Sequence, residues 1–242
     1  MLRVRLWPML LGLCAGMKEL ADYVIKNAPA GDIDAALEKF VQYSEKKRLG
    51  LHLGRAKGQT IEDSVRKGLE GLPEGTPAAV LELGCHAGDG TLSILSALKY
   101  RPGSTIISTD GNEEWLAAAK RVVAHASQGQ DVRWIPVDMK APDIQRLLGT
   151  LQAQGVDRLD SMVLDHEEDL FLPDLQTILQ QKLLRIGGTV QVDNVKRKAR
   201  ALSKYMEFVG TGRNGFSTEV LSVSDPYPDS IAISQWLGTP EL

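Results

Sequence analysis

Between Ala79 and Val192 the sequence repeats one alternation, a short apolar run followed by a helix-length stretch, and this restricts the fold more than any other feature. Runs at Ala79–Leu83, Thr105–Ser108, Val132–Val137, Ser161–Leu164 and Thr189–Val192 read as strands. The stretches near Thr91–Tyr100, Glu113–Ala126, Asp143–Gln154 and Leu172–Gln181 read as helices. Strands joined by helix-length crossovers pair in parallel with right-handed connections, which predicts a Rossmann-like, doubly wound α/β sheet. Thr218–Ser222 and Ser230–Trp236 lack a helix-length spacer, so they are expected to finish a seven-stranded sheet as an antiparallel pair. Three helices precede the sheet: Met17–Asn27, a second from the capping Asp32 to about Lys47, and a third over about Thr60–Leu69.

A chain of 242 residues suffices for one such domain, and 43% hydrophobic with 24% charged residues is ordinary for a globular protein. Lys plus Arg number 28 against 31 Asp plus Glu, so a net charge of -3 exerts no global pull on nucleic acid and favours a small-molecule ligand. Two cysteines, Cys14 and Cys85, exclude a disulfide framework and fit a reducing compartment. Residues 1–16 stand apart from the domain expected over 17–242. Arg3 and Arg5 precede an apolar run from Leu6 to Ala15, about half of the ~20 residues a membrane span needs. This segment reads as a targeting segment, an interfacial anchor or an extension packed on a protein partner, of an intracellular protein in the cytoplasm or an organelle.

The turn after the first strand, Leu83-Gly84-Cys85-His86-Ala87-Gly88-Asp89-Gly90-Thr91, places three glycines between strand and helix. Glycines there permit a tight reversal and close ligand approach, and the helix start offers free amides. The spacing is not that of a pyrophosphate-binding loop, and Glu82 suits an ammonium better than a phosphate, which favours S-adenosylmethionine over a dinucleotide. Asp110, 26 residues after Gly84, ends the second strand, where a carboxylate accepts ribose hydroxyls. Cys85 is a small spacer in the turn and Gly111 follows the ribose carboxylate; both count with the cofactor loop.

The fourth strand ends in Asp165-His166-Glu167-Glu168-Asp169 and the fifth in Asp193-Asn194. Open parallel sheets bind ligands beyond the carboxyl ends of their strands at the switch of winding direction. In a 3-2-1-4-5 order, Gly84, Asp165, Asp193 and Asn194 would share one crevice. Two carboxylates and an amide oxygen form a set of hard ligands suited to magnesium.

With these residues the chain resembles the catechol O-methyltransferase family over roughly Ala21–Gly238. The resemblance is carried by Leu164-Asp165-His166 with Asp169, Leu172, Pro173 and Asp174, by Glu82-Leu83-Gly84 with Gly88, by Leu183-Leu184-Arg185 through Asp193-Asn194-Val195, and by Gly54 to Lys57-Gly58. It implies that Asp165, Asp193 and Asn194 hold magnesium and that Leu51, His52 and Leu53 lie along the methionine part of the cofactor. Glu82, Gly84, His86 and Gly90 would line the same cofactor, Asp110 its ribose and His166 its adenine side. The expected reaction moves the sulfonium methyl to a hydroxyl of a metal-chelated catechol-like acceptor.

Three features depart from the family. Glu168 replaces a general-base lysine, Leu49 and Glu167 stand at positions of pocket aromatics, and the loop after Asn194 is the basic Val195–Arg200. A late glutamate that contacts the acceptor matches Glu219. Glu168 has two readings: a proton acceptor for an acidified hydroxyl, or no role, the extra charges of Glu167 and Glu168 only strengthening cation binding or facing solvent. The loop Lys196–Arg200 reads as a contact for an acidic substrate, a membrane or a protein. A second expectation, from a different class, is a non-catalytic scaffold that keeps the fold. His125, Trp115 and Trp134 read as capping or packing residues.

Overall fold

The computed structural model describes residues 7–49, 52–139 and 143–238, with side chains from residue 16 onward. The sheet strands are β1 (Ala79–Leu83), β2 (Ser104–Asp110), β3 (Val132–Asp138), β4 (Leu159–Leu164), β5 (Leu184–Val192), β6 (Phe216–Val223) and β7 (Asp229–Trp236). Their order is β3-β2-β1-β4-β5-β7-β6, with β7 antiparallel to both neighbours and the other six strands co-directional. The winding reverses between β1 and β4, as the strand spacing predicts.

Alternation along each strand builds two cores. Val80, Ile106 and Val163 face one side of the sheet, where they pack with helices α1 (Trp7–Asn27), α2 (Ile33–Lys47), α4 (Asp89–Leu98) and α5 (Glu113–Ala126), and with α3 (Gly54–Gly68). Leu81, Leu83, Ile107, Met162 and Leu164 face the other, against α6 (Ile144–Ala153), α7 (Phe171–Gln180) and α8 (Ser203–Gly210). The period of two thus turns Glu82 toward the α3/α4 layer together with Val80.

The chain departs from the sequence reading at four places. First, α1 continues back to Trp7, so the apolar run and the Met17–Asn27 segment form one helix. Second, α3 starts at Gly54, six residues before the expected Thr60, because its cap comes from far away. Asp225 Oδ2 accepts from Arg55 N at 2.8 Å and Ala56 N at 3.3 Å, while Leu53 at the cap position makes no side-chain bond. Third, β5 starts at Leu184 rather than Thr189, and a register shift at Leu159/Ser161 accommodates the Gly187-Gly188 pair within the sheet. Fourth, α8 follows a basic stretch in which no helix was expected. By contrast, Asp32 caps α2 as expected, accepting from Ala35 N at 2.9 Å. Among the described residues, no helix is long and apolar enough to cross a membrane.

Candidate functional site

The carboxyl ends of β1, β4 and β5 meet in a cleft of about 350 Å³. Asp165 follows β4, its backbone N–H donating to Leu83 O at 2.8 Å, so the end of β4 is tied directly to the glycine turn. This closeness explains Gly84: it adopts φ 88, and a Cβ there would stand 2.3 Å from Asp165 O. Asp193 and Asn194 follow β5 and line the same cleft, as do Glu168 and the turn residues Cys85, His86 and Gly90. His52 and Leu53 close it from the segment before α3, and Leu53 N donates to Asp89 Oδ2 at 2.8 Å. Leu51 lies outside the described residues.

Glu82 is 1% exposed and accepts from Thr91 Oγ1 and Ser108 Oγ, each at 2.5 Å. Ser108 is its register partner on β2, so the bond follows from strand pairing. Burial pushes the Glu82 carboxyl up to about 7, against the two hydroxyl bonds. Gly90 has to be small, since a Cβ would stand 2.3 Å from Glu82 Oε1. Burial likewise raises Asp89 to about 6. His86, at φ 47, is driven down to about 4 by burial, and neither of its buried ring nitrogens has a partner among the described residues. Its ring meets Trp115 edge-on with centroids 4.5 Å apart, so Trp115 both packs against the core and lines the cleft.

Asp110 accepts His86 N on Oδ2 and Asn112 N on Oδ1, each at 2.8 Å, which fixes its carboxylate at the mouth of the turn. Burial raises its pKa. Asp110, Gly111, His166 and Glu167 line an adjoining hollow of about 320 Å³ that shares Gly84, Trp115, Asp165 and Glu168 with the first. His166 is held there by Asp174 of α7, Nε2 to Oδ2 at 3.0 Å. Gly88 points away: with φ 102 it caps α4, and a Cβ would meet Ala119 and Val123 at 3.3 Å, so its smallness serves the packing of α5. Cys85 is 1% exposed and packs with Leu116 and Ala119 at the cleft floor.

The main residue that sequence reasoning missed in the site is Lys57. It carries no exposed surface, and its Nζ lies 2.8 Å from the Asp193 carboxylate and 3.1 Å from Asp229 Oδ2. Burial alone would lower its pKa, but Asp193 foremost, with Tyr227 and Asp229, outweighs burial and holds it above the usual lysine range. Asp165 is raised well above the carboxylate range, first by burial and then by the charge of Asp193. Asp193 is raised by burial against the pull of Lys57. Among the described residues no group of three or more His, Cys, Asp or Glu forms a metal cluster, and the expected set of two acids and one amide has Lys57 on one of its acids.

Glu219 sits on the outermost strand β6, half exposed, 3.9 Å from Lys67 and away from the cleft. Tyr227, two residues before β7, lines the cleft instead, under Lys57 at 4.6 Å and under the guanidinium of Arg197 at 4.1 Å. Glu168 does not stand alone. Lys198 of the basic loop reaches back so that Nζ lies 2.7 Å from Glu168 Oε1. His125 bonds Ala28 O through Nε2 at 2.9 Å and Trp134 donates Nε1 to Ser108 Oγ at 2.9 Å, both structural contacts.

No family model matches the chain. A protein of Mycobacterium tuberculosis named a probable O-methyltransferase is 32% identical over 223 residues, covering 90% of each chain. The catechol O-methyltransferase of Bos taurus is 29% identical over 178 residues, 74% of this chain and 61% of the bovine protein. The chain belongs to the catechol O-methyltransferase family and its related O-methyltransferases. As a member it is an S-adenosylmethionine-dependent O-methyltransferase, with the Rossmann-like sheet of that class. The same fold is seen in the O-methyltransferase TomG from Streptomyces achromogenes, solved in complex with S-adenosylmethionine. That structure has a TM-score of 0.63 and 18% identity, over 84% of this chain and 89% of that one.

Proposed function

We propose that the chain transfers the methyl group of S-adenosylmethionine to a hydroxyl of a small catechol-like acceptor, with magnesium held by Asp165, Asp193 and Asn194. The reading is carried by one observation: these three side chains and the Glu82–Gly90 turn line the same cleft. The charge of Asp193 bears on the buried Asp165, which has no cation of its own among the described ion pairs, and a hard divalent cation would relieve that repulsion beside Lys57, so the residues fit the ion. When bound, the metal would supply acidification and orientation of an acceptor hydroxyl.

The chain's own residues account for the rest. Glu82 takes the amino group of the methionine part, which favours its ionised form. Asp110 has lone pairs beyond its two amide bonds with which to accept ribose hydroxyls. Gly111 and His166 border the adenine side, and His86 offers a neutral ring with both nitrogens free. Glu168, with Lys198 beside it, would accept the proton leaving the hydroxyl. Holding donor and acceptor in line within one cleft supplies the proximity such a displacement needs.

The test is radiolabelled methyl transfer from S-adenosylmethionine to a panel of catechols, with magnesium and with a chelator. Transfer that requires magnesium and is lost in Asp193→Ala is the expected result. Cofactor binding by calorimetry without turnover on any acceptor would instead favour the scaffold reading.

A further inference from the structure

Five cations, Lys196, Arg197, Lys198, Arg200 and Lys204, lie within nine residues in a chain whose net charge is -3, and no acid separates Asn194 from Glu207. Arg197, Lys198, Arg200 and Lys204 line a second cleft of about 840 Å³ between the basic loop and α7/α8. This cleft opens beside the reaction cleft and shares Glu168, Arg197 and Lys198 with it. Its acids are Glu168 and Asp169, and Glu168 is already matched by Lys198. Three cations then face one exposed carboxylate, Asp169. Arg200 and Lys204 form no ion pair among the described residues. Arg197 has its guanidinium laid on Tyr227, which fixes its plane and leaves its N–H edge for a bidentate acceptor.

We propose that this second cleft is a subsite for an anionic group of the methyl acceptor, so that the acceptor is a hydroxylated ring joined to a carboxylate or phosphoryl group. The proposal rests on the reading of the first cleft as the seat of the ring. An uncompensated positive cleft with low-dielectric walls focuses potential on an anion and raises its local concentration. Beyond the first cleft, the second gives room for a tail past the Glu168–Lys198 pair. That pair stands at the passage between them, and it holds Lys198 at the boundary, where the anion would enter.

The experiment compares 3,4-dihydroxycinnamate, its methyl ester and 3,4-dihydroxybenzylphosphonate as acceptors for the wild-type chain and for the double variant Arg200→Gln/Lys204→Gln. In wild type the KM of the ester should exceed that of at least one of the two anions tenfold or more. In the double variant that ratio should fall toward one, and in wild type it should shrink with added salt. The anion with the lower KM identifies the group. Equal KM values in wild type, or a ratio the double variant leaves intact, would overturn the subsite. If none of the three is methylated, calorimetry with S-adenosylhomocysteine and magnesium present decides separately. Binding of an anion but not the ester, lost in the double variant, keeps the subsite while the acceptor reading falls. Equal binding, or none by any of the three, overturns the subsite.

Discussion

Taking an ammonium out of water costs several kcal/mol, and Lys57 recovers this chiefly through Asp193 and Asp229, with the Tyr227 ring beside it. Replacing it by Met leaves two buried carboxylates without a cation, so Lys57→Met should lose roughly 3–5 kcal/mol in urea unfolding at neutral pH. The loss should shrink in mild acid, where the carboxylates can protonate. Glu82 makes the opposite kind of prediction. Its folded pKa of about 7 lies above the ordinary 4.5, so the folded apo protein keeps a proton that the unfolded chain releases between those values. Stability conferred below pH 4.5 is therefore lost as pH rises to about 7, and Glu82→Gln should recover roughly 3 kcal/mol at pH 8. S-adenosylmethionine affinity should rise through the same range in wild type, because its ammonium needs the ionised carboxylate. A flat calorimetric profile in Glu82→Gln is the control; the same rise in both would separate Glu82 from the cofactor. His86 works the other way: depressed to about 4, it removes stability as pH falls from 6.5.

Elements carry these residues to one place, and their legibility in the sequence follows from how local their causes are. Helix α5 was readable end to end because Asn112 caps it from the adjacent position, accepting from Glu114 N and Trp115 N at 3.0 and 3.1 Å. Helix α3 was not, because Asp225 caps it across 170 residues. Asp225→Ala should cost about 1 kcal/mol, a typical capping loss, read as a lower thermal midpoint. A cost near zero would show that solvent satisfies those two amides. The same contrast runs through the site. Asp165, Asp193 and Asn194 end strands whose order follows from the crossovers, so their meeting could be foreseen. Lys57 sits on a helix whose start was hidden, and its second acid begins the last strand, so nothing nearby in sequence links the three. The partnership of Glu168 with Lys198 was also invisible, since it depends on how an irregular loop of 195–202 folds back over α7.

At the scale of the molecule, the sheet is a partition with the α1–α5 layer on one face and α6–α8 on the other, and the first cleft opens beyond the carboxyl ends of its central strands. Helix α1 belongs to that construction through Met17, Leu20, Ala21 and Val24, none more than 1% exposed. A chain beginning at residue 17 keeps these four side chains. One beginning at residue 28 loses these contacts and should be destabilised by roughly 5 kcal/mol. Equal melting of the two would remove α1 from the core. The three-way ion pair also has a temporal side. Asp193 and Asp229 lie 136 and 172 residues downstream of Lys57, so a ribosome must translate as far as β7 before that ammonium meets both counter-charges. A nascent fragment that stops short of β7 lacks Asp229 and so carries Lys57 without its second counter-charge.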